Sequence, residues 1–179
     1  TKFMQTKFLT PLLCLVLVLT GCQHILTERN STVISASYGA VDGLLAKQTR
    51  SPVLAANSGK RVLVATVVSL DRLDKSTTFG RLISEQMASR LAQRGISVTE
   101  LKLRDSLYMN ARQGELLLSR DAQNIVNNSN ADFVVVGTYA DAGEAVYVTV
   151  KLINPSDSTV LSAHNFSIYK SSYVAQLMK

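Results

Sequence analysis

The sequence predicts an α/β fold built on a mixed β-sheet, and three observations support it. Arg61 to Leu70 is Val-rich and almost continuously apolar, which is typical of a strand covered on both faces. An amphipathic helix and a second strand follow, and this βαβ order predicts parallel strands joined by a right-handed crossover. Near the C terminus, two alternating segments flank a turn and predict an antiparallel hairpin. The expected order is an N-terminal amphipathic helix followed by a β-α-β-α-β-β core.

Residues 1–21 have the pattern of a bacterial lipoprotein signal peptide. After a basic start, an apolar run from Phe8 to Leu19 leads into Leu19-Thr20-Gly21-Cys22, which resembles a lipobox. The run is shorter than the roughly 20 residues that cross a bilayer as a helix. We therefore expect cleavage between Gly21 and Cys22, with Cys22 as the lipid-modified first residue of the mature protein.

The resemblance to bacterial lipoproteins implies diacylglycerol on the Cys22 sulfur and an acyl chain on its amino group. Two lipid signals already hold a protein stably on a membrane, so three chains are sufficient as an anchor. In such lipoproteins Asp after the cysteine is the usual signal for inner-membrane retention, so Gln23 favours the outer membrane. The alternatives are an ordinary signal peptide cut near a cysteine and an uncleaved N-terminal anchor. Met4 is a candidate translation start.

Residues 22–57 are predicted to form a short polar tether and an amphipathic helix. Apolar residues recur there at helical spacing, namely Ile34, Tyr38, Val41, Leu44 and Leu45. Gly39 and Gly43 each cost such a helix about 1 kcal/mol relative to Ala, so docking must stabilise it. Ser51-Pro52 ends the helix, and Asn57-Ser58-Gly59 forms a turn.

Residues 58–170 are predicted to form the α/β domain. The strand Arg61 to Leu70 is followed by a polar loop, Asp71 to Thr78, and by a helix that Gly95 ends in the C′ position. The apolar stripe of this helix consists of Phe79, Leu82, Ile83, Met87 and Leu91. Ile96 to Leu103 alternates imperfectly and is predicted as the second strand.

The second half of the domain contains a further helix and three strands. Arg104 to Leu118 has no clear pattern, and Ser119 is a good N-cap for a helix that runs to about Asn128. The predicted strands are Asp132 to Tyr139 and the two arms of the hairpin, the second of which is Thr159 to Tyr169. In the first arm Val146, Val148, Val150 and Leu152 point to one face, and Tyr147, Thr149 and Lys151 to the other. Residues 171–179 are predicted as a C-terminal tail.

Composition excludes several kinds of site. Cys14 leaves with the signal peptide and Cys22 is acylated, so the mature chain has no thiol for a disulfide or a cysteine-based zinc site. Two histidines, one of them His24 beside the anchor, do not supply a multi-histidine metal site. The net charge of +6 is concentrated between Lys60 and Arg112, a segment with ten basic and five acidic residues. The secretory signal argues against nucleic acid as the partner of this basic segment. The default interpretation is that its charged residues form a solvated helix face.

No catalytic motif is found in the sequence. The segment Asn57-Ser58-Gly59-Lys60 lacks the first glycine of a phosphate-binding loop and precedes a strand instead of following one. The serines lack a general base, because His164 lies mid-strand and is expected to be structural or exposed. Asp71 and Asp74 are interleaved with basic residues, which favours a loop salt-bridge cluster over a carboxylate pair for catalysis or calcium. The chain is therefore predicted to be a non-enzyme without metal or cofactor.

Five positions are candidates for partner contacts. Arg81, Glu85 and Arg90 lie outside the apolar stripe of the predicted helix and are a candidate protein interface. Tyr147 and Tyr169 could stack on a glycan or pack on a partner, although packing in the core or at its rim is the default for each.

Residues 53–169 resemble the FlgO family of flagellar outer-membrane lipoproteins. Four segments carry the resemblance: RVLVATVVSLDRL from Arg61, FGRLISEQMASRLAQRG from Phe79, GELLLSRDA from Gly114, and ADFVVVGTYA from Ala131 with the strands that follow. The lipobox and the helix around Tyr38 to Leu45 fit this family as well. The resemblance implies a fold similar to the N-terminal domain of TolB.

The resemblance also implies a function without catalytic residues. The expected protein is an accessory structural component of the bacterial flagellum, lipid-anchored in the outer membrane around the basal body and needed for motility. We expect a homo-oligomer that forms a ring through sheet edges and the charged helix face, together with other flagellar outer-membrane proteins. The alternative is a regulatory or adaptor lipoprotein of the same fold that faces the periplasm and acts on a cell-wall synthase or secretion pore. The short tether weighs against this alternative.

Overall fold

A computed structural model describes residues 32–46, 54, 56, 58–73, 76–99 and 129–179. By its contacts the chain divides into two units, residues 1–33 and 34–179, and only residues 32 and 33 of the first unit are described. The signal peptide, Cys22, the tether and the helix predicted at 119–128 lie outside the described residues.

The described part is a mixed α/β fold, as predicted. The strands are β1 (Arg61–Val64), β2 (Val68–Ser69), β3 (Ser97–Thr99), β4 (Phe133–Asp141), β5 (Ala145–Asn154) and β6 (Thr159–Tyr169). The helices are α1 (residues 32–46), α2 (Thr78–Gln93) and α3 (Ser172–Leu177). The sheet order is β3-β1-β4-β5-β6, and β2 pairs with β4.

The parallel pairing predicted for the βαβ unit is confirmed. β1 and β3 run parallel, with Val62 opposite Val98, and α2 connects them. Thr77 caps the helix by accepting a hydrogen bond from the Gly80 N–H at 3.2 Å. At the other end Gly95 has a φ of 74°, the left-handed conformation predicted for the C′ position. β1 lies between β3 and β4, both parallel to it, and its consecutive residues Val62 and Leu63, which point to opposite faces of the sheet, are both fully buried.

The single strand predicted over Arg61 to Leu70 is wrong, because the chain forms two short strands separated by residues 65–67. The reason lies in α2. The Ser84 hydroxyl accepts a hydrogen bond from the Val67 N–H at 2.9 Å and also lies 3.1 Å from the Ala65 carbonyl oxygen. The helix therefore satisfies backbone groups that a continuous strand would pair with a neighbouring strand.

Gly80 permits this close approach of helix and strand. A Cβ atom at Gly80 would collide with the carbonyl oxygen of Val67, which is backbone and cannot move aside. The first turn of α2 thus lies directly on the break between β1 and β2.

The C-terminal hairpin forms as predicted, with β5 and β6 antiparallel and β6 running over Thr159–Tyr169. Val146, Val148, Val150 and Leu152 are buried and Tyr147 is exposed, so the predicted alternation of faces is confirmed. The register shifts between Leu152 and Ile153, where β6 takes up an extra residue.

Both described long helices pack on the same face of the sheet. The Phe79 ring of α2 lies edge-on to the Tyr139 ring of β4, with centroids 5.2 Å apart. On α1, Gly43 lies against the imidazole of His164 in β6. Tyr139 lies opposite Val148 of β5, and His164 lies opposite Val150 of β5. Val148 and Val150 are two residues apart on one strand and so point to the same face, which places Tyr139 and His164 on that face as well.

The buried side of α1 differs from the predicted stripe. Ile34 is 40% exposed, whereas Ser37 and Ala40 are fully buried beside Val41 and Leu44. Small side chains let this helix approach the sheet closely, so burial does not follow hydrophobicity alone. The expectation that docking stabilises a glycine-containing helix is supported at Gly43, where the backbone lies against His164.

The opposite face of the sheet has a buried part and an exposed part. Leu63, Val134, Val136 and Ile153 form a buried apolar cluster, with Ala65 and Ala131 packed against it. Further along the same face, β5 and β6 are exposed.

The segment predicted only as a C-terminal tail contains helix α3. Ser171 caps it by accepting a hydrogen bond from the Val174 N–H at 3.3 Å, and the Val174 side chain is buried. The helix contacts α2.

Candidate interaction surfaces

A cluster of charged residues joins α1 to α2. Arg90 donates two hydrogen bonds to Asp42, at 3.1 Å from Nε and 2.7 Å from Nη2, and Arg94 binds the same carboxylate at 2.8 Å. The Arg90 guanidinium also lies 5.2 Å from the centre of the Tyr38 ring, within reach of a cation–π interaction. The side-chain hydrogen bond from Arg90 is the main reason why the pKa of Asp42 is lowered, and Arg94 acts in the same direction while partial burial opposes both.

The three residues of the predicted interface have different surroundings. Arg90 is engaged by Asp42 and its pKa is raised by that hydrogen bond. Arg81 is exposed near the start of α2 and donates to Ser76 and Thr78. Glu85 is exposed and lines a groove with Val98 of β3 and three small residues, Ala88, Ser89 and Ala92. Their role in binding a partner stays a prediction, and of the three Arg90 is the one already used to hold two helices together.

Asp42 and Arg94 were not among the residues singled out from the sequence. Asp42 is 48 positions from Arg90, so no local spacing connects them. The sequence feature that points to this contact is the long apolar stripe of α2, which predicts that another element packs beside the helix.

Two exposed tyrosines lie on the face of the sheet opposite α1 and α2. Tyr147 is 58% exposed and Tyr169 is 72% exposed, so of the expected packing in the core or at its rim, packing in the core is wrong for both. Tyr147 lies opposite Ser167, Thr149 lies opposite Asn165, and Tyr169 lies opposite Ala145. We call the set Tyr147, Thr149, Asn165, Ser167 and Tyr169 the tyrosine surface.

An exposed leucine, Leu70, lies on the side of the tyrosine surface nearest to β4. Ala140 pairs with Tyr147 across β4 and β5. Leu70 follows β2, donates its N–H to the Tyr139 carbonyl at 2.8 Å, and is 58% exposed. Three large exposed apolar or aromatic side chains therefore lie near one end of the sheet, on β5, on β6 and directly after β2.

Gly21 and Cys22 lie outside the described residues, so cleavage and lipidation stay predictions. Among the described residues no group of three or more His, Cys, Asp or Glu side chains is arranged to hold a metal ion. His164 is half-buried in β6 against Gly43, in agreement with the structural role expected for it.

In the parts of the chain that the structure describes, no helix has both the length and the apolar character needed to cross a membrane.

Comparison with protein families gives one clear result. The model of the FlgO protein family matches residues 38–173, which is most of the chain. Comparison with curated protein sequences finds no match.

Comparison with solved structures supports the fold. The C-terminal domain of LpoB from Salmonella enterica matches with a TM-score of 0.51 at 15% identity, over 75% of this chain and 98% of that one. The same domain from Escherichia coli matches with a TM-score of 0.51 at 16% identity, over 75% and 98% of the two chains. TolB from Acinetobacter baumannii is also similar, with a TM-score of 0.38 at 11% identity over 67% of this chain and 26% of that one. At these identities the LpoB domains show a shared fold.

Proposed function

The chain belongs to the FlgO protein family, and from that premise we propose that it is a structural outer-membrane lipoprotein of the bacterial flagellum. In this proposal it is associated with the basal body and is needed for full motility. The observation that carries the proposal is the family match over residues 38–173, which covers most of the described fold. Family membership supports an outer-membrane lipoprotein, and the flagellar role is the finer step that we propose.

The proposed attachment is covalent lipid on Cys22. The lipobox Leu19-Thr20-Gly21-Cys22 supports cleavage before this cysteine, and Gln23 supports sorting to the outer membrane. Three acyl chains would hold the domain at the membrane without a spanning helix.

The proposed role is non-catalytic. The sequence has no nucleophile–base motif, and in the described part of the chain the carboxylates of Asp42 and Asp132 are held in ion pairs, with Arg90 and with Lys60, at 2.7 Å each. These pairs connect parts of the fold that are distant in sequence. A structural use of the charged groups is therefore the simpler interpretation.

We further propose that the protein acts as a homo-oligomer, in a ring together with other flagellar outer-membrane proteins. The terminal strand of the described sheet, β6, is eleven residues long, and strands at sheet edges are natural contact elements between subunits. Contacts between different surfaces of one subunit close into a ring when the rotation between neighbours permits it. The exposed side chains of Arg81 and Glu85 on α2 are the candidate second surface.

A deletion strain tests this proposal. We expect cells without the protein to lose swimming, and expression of the wild-type gene to restore it. In membrane extracts of the complemented cells, crosslinking should capture multimers of the protein. Full motility of the deletion strain together with defects in the cell wall would instead support the alternative, an adaptor that acts on a cell-wall synthase.

A further inference from the structure

The tyrosine surface combines aromatic rings with uncharged hydrogen-bonding groups. It lies on the sheet face opposite α1 and α2, where Tyr147 and Tyr169 are the most exposed tyrosines described. We infer that this surface binds a glycan strand of the bacterial cell wall. The N-acetylated sugars of such a strand present apolar ring faces together with hydroxyl and amide groups.

The two rings are placed to contact one short glycan together. Tyr147 lies opposite Ser167, and Tyr169 is two residues further along β6, so the tyrosines are diagonal neighbours. Diagonal positions in an antiparallel pair are about 7–8 Å apart, and their side chains stand on the same side of the sheet. Tyrosine offers an apolar ring face for stacking and a hydroxyl for hydrogen bonding, which matches the two kinds of surface on a sugar.

The neighbouring side chains are suited to a hydroxyl-rich ligand. Ser167 and Asn165 are exposed and Thr149 is half-buried, and together they present hydroxyl and amide donors and acceptors. An apolar helix seated on this surface would bury these groups without partners, at a cost of about 1–3 kcal/mol for each unsatisfied group. A sugar chain can satisfy them while its C–H faces cover the rings.

The charge of the surface argues against an anionic ligand. None of its five residues is charged, and the next member of this face along β5 is Lys151. At the same end of the sheet, Lys170 is engaged by Asp141 at 2.5 Å. Surfaces that bind phosphate-rich lipids or nucleic acids use several lysines or arginines, whereas the tyrosine surface offers none.

The inference rests on the proposed function in one respect, because outer-membrane anchoring would place the domain next to the cell wall. A glycan contact would then be a second attachment beside the lipid anchor. Two attachments on one molecule raise the effective concentration at each site, so a weak glycan contact is sufficient.

Cosedimentation with purified, protein-free sacculi tests the inference directly. The mature protein in detergent is compared with a double variant, Tyr147→Ala with Tyr169→Ala, and with Tyr173→Ala as the matched control. Tyr173 is also exposed, but it lies on α3 outside the tyrosine surface. We expect wild type and control to sediment with sacculi and the double variant to bind about tenfold or more weakly. Circular dichroism and thermal melting should show the same folded state for all three.

Binding measured at high salt and in the presence of soluble competitors identifies the chemistry of the ligand. Binding should persist at high salt, because the surface is uncharged, and soluble N-acetylglucosamine oligomers should compete for it. Equal binding by the double variant, no binding by wild type, or loss of binding at high salt would each overturn the inference. Loss of crosslinked multimers in the double variant with unchanged sacculus binding would also overturn it and would identify a protein interface. Motility of the deletion strain is a separate measurement, so a failed flagellar role leaves the sacculus result interpretable.

Discussion

Gly39 and Gly43 lie one helical turn apart in α1, and among the described residues only Gly43 lies against another element. A Cβ atom at Gly43 would collide with the His164 imidazole, whereas no atom of the described residues lies within 4 Å of a Cβ atom at Gly39. The two glycines therefore lower the helix propensity of α1 equally, but replacing them should change the stability of the protein in opposite directions.

Alanine substitutions at these two positions should differ in sign. Gly43→Ala should lower the free energy of unfolding by about 1–3 kcal/mol, because His164 must move out of a packed position. Gly39→Ala should raise it by up to about 1 kcal/mol through better helix propensity. Urea denaturation of both variants measures the difference, and a gain in stability for both would show that α1 does not pack on His164.

The hydroxyl of Ser84 hydrogen-bonds the backbone on both sides of the break between β1 and β2. Ser84→Ala should lower the free energy of unfolding by about 1–3 kcal/mol, because the Val67 N–H is left buried without its acceptor. Ser89→Ala is the matched control, since Ser89 is exposed on the same helix. Equal stability of the two variants, measured by urea denaturation, would mean that the Ser84 hydrogen bonds contribute nothing.

At the scale of secondary-structure elements, α1 is joined to α2 by the carboxylate of Asp42. Its pKa is lowered, chiefly by the hydrogen bond from Arg90. A carboxyl group with a lowered pKa in the folded state adds stability above its unfolded pKa, about 3.9, and this stability is lost as the pH falls through the folded pKa.

Asp42→Asn should therefore destabilise the protein at neutral pH but have little effect in acid. We expect a loss of about 1 kcal/mol at pH 7, since the carboxylate is 34% exposed and solvent screens the pair. The difference from wild type should shrink as the pH falls below about 4. Thermal melting from pH 7 to pH 3, with the exposed loop variant Asp71→Asn as control, checks this, and a pH-independent difference would contradict it.

Several elements could be predicted from the sequence because local patterns determine them. The alternation of β5 and the turn before β6 set the hairpin, and the apolar stripe with Gly95 set the extent of α2. The break at residues 65–67 could not be predicted, because Ser84 and Gly80 cause it from a distant part of the chain.

The candidate surfaces were predicted only in part. Tyr147 was placed correctly on the polar side of β5 by alternation, but its exposure depends on what the rest of the chain leaves uncovered. Arg90 was expected to be available to a partner, and its ion pair with Asp42 depends on how two helices pack. Small residues such as Ser37 and Ala40 were missed as core positions because hydrophobicity patterns do not report close helix packing.

At the scale of the whole molecule, the proposed function requires both the folded domain and the lipid anchor. Cys22→Ser should leave the thermal unfolding of the α/β domain unchanged, since Cys22 belongs to the other unit of the chain, residues 1–33. The variant should appear in the soluble fraction and fail to restore swimming in a deletion strain. Fractionation by ultracentrifugation and swimming assays measure these effects, and full swimming with a soluble protein would show that the anchor is dispensable.

Electron cryotomography of flagellar basal bodies is the most direct test of the flagellar assignment. Cells with and without the protein are compared, and density at the outer membrane around the basal body is averaged in each. A structural component predicts that defined density disappears in the deletion strain and returns when the wild-type gene is expressed. Identical basal-body density in the two strains would contradict a structural role in the flagellum.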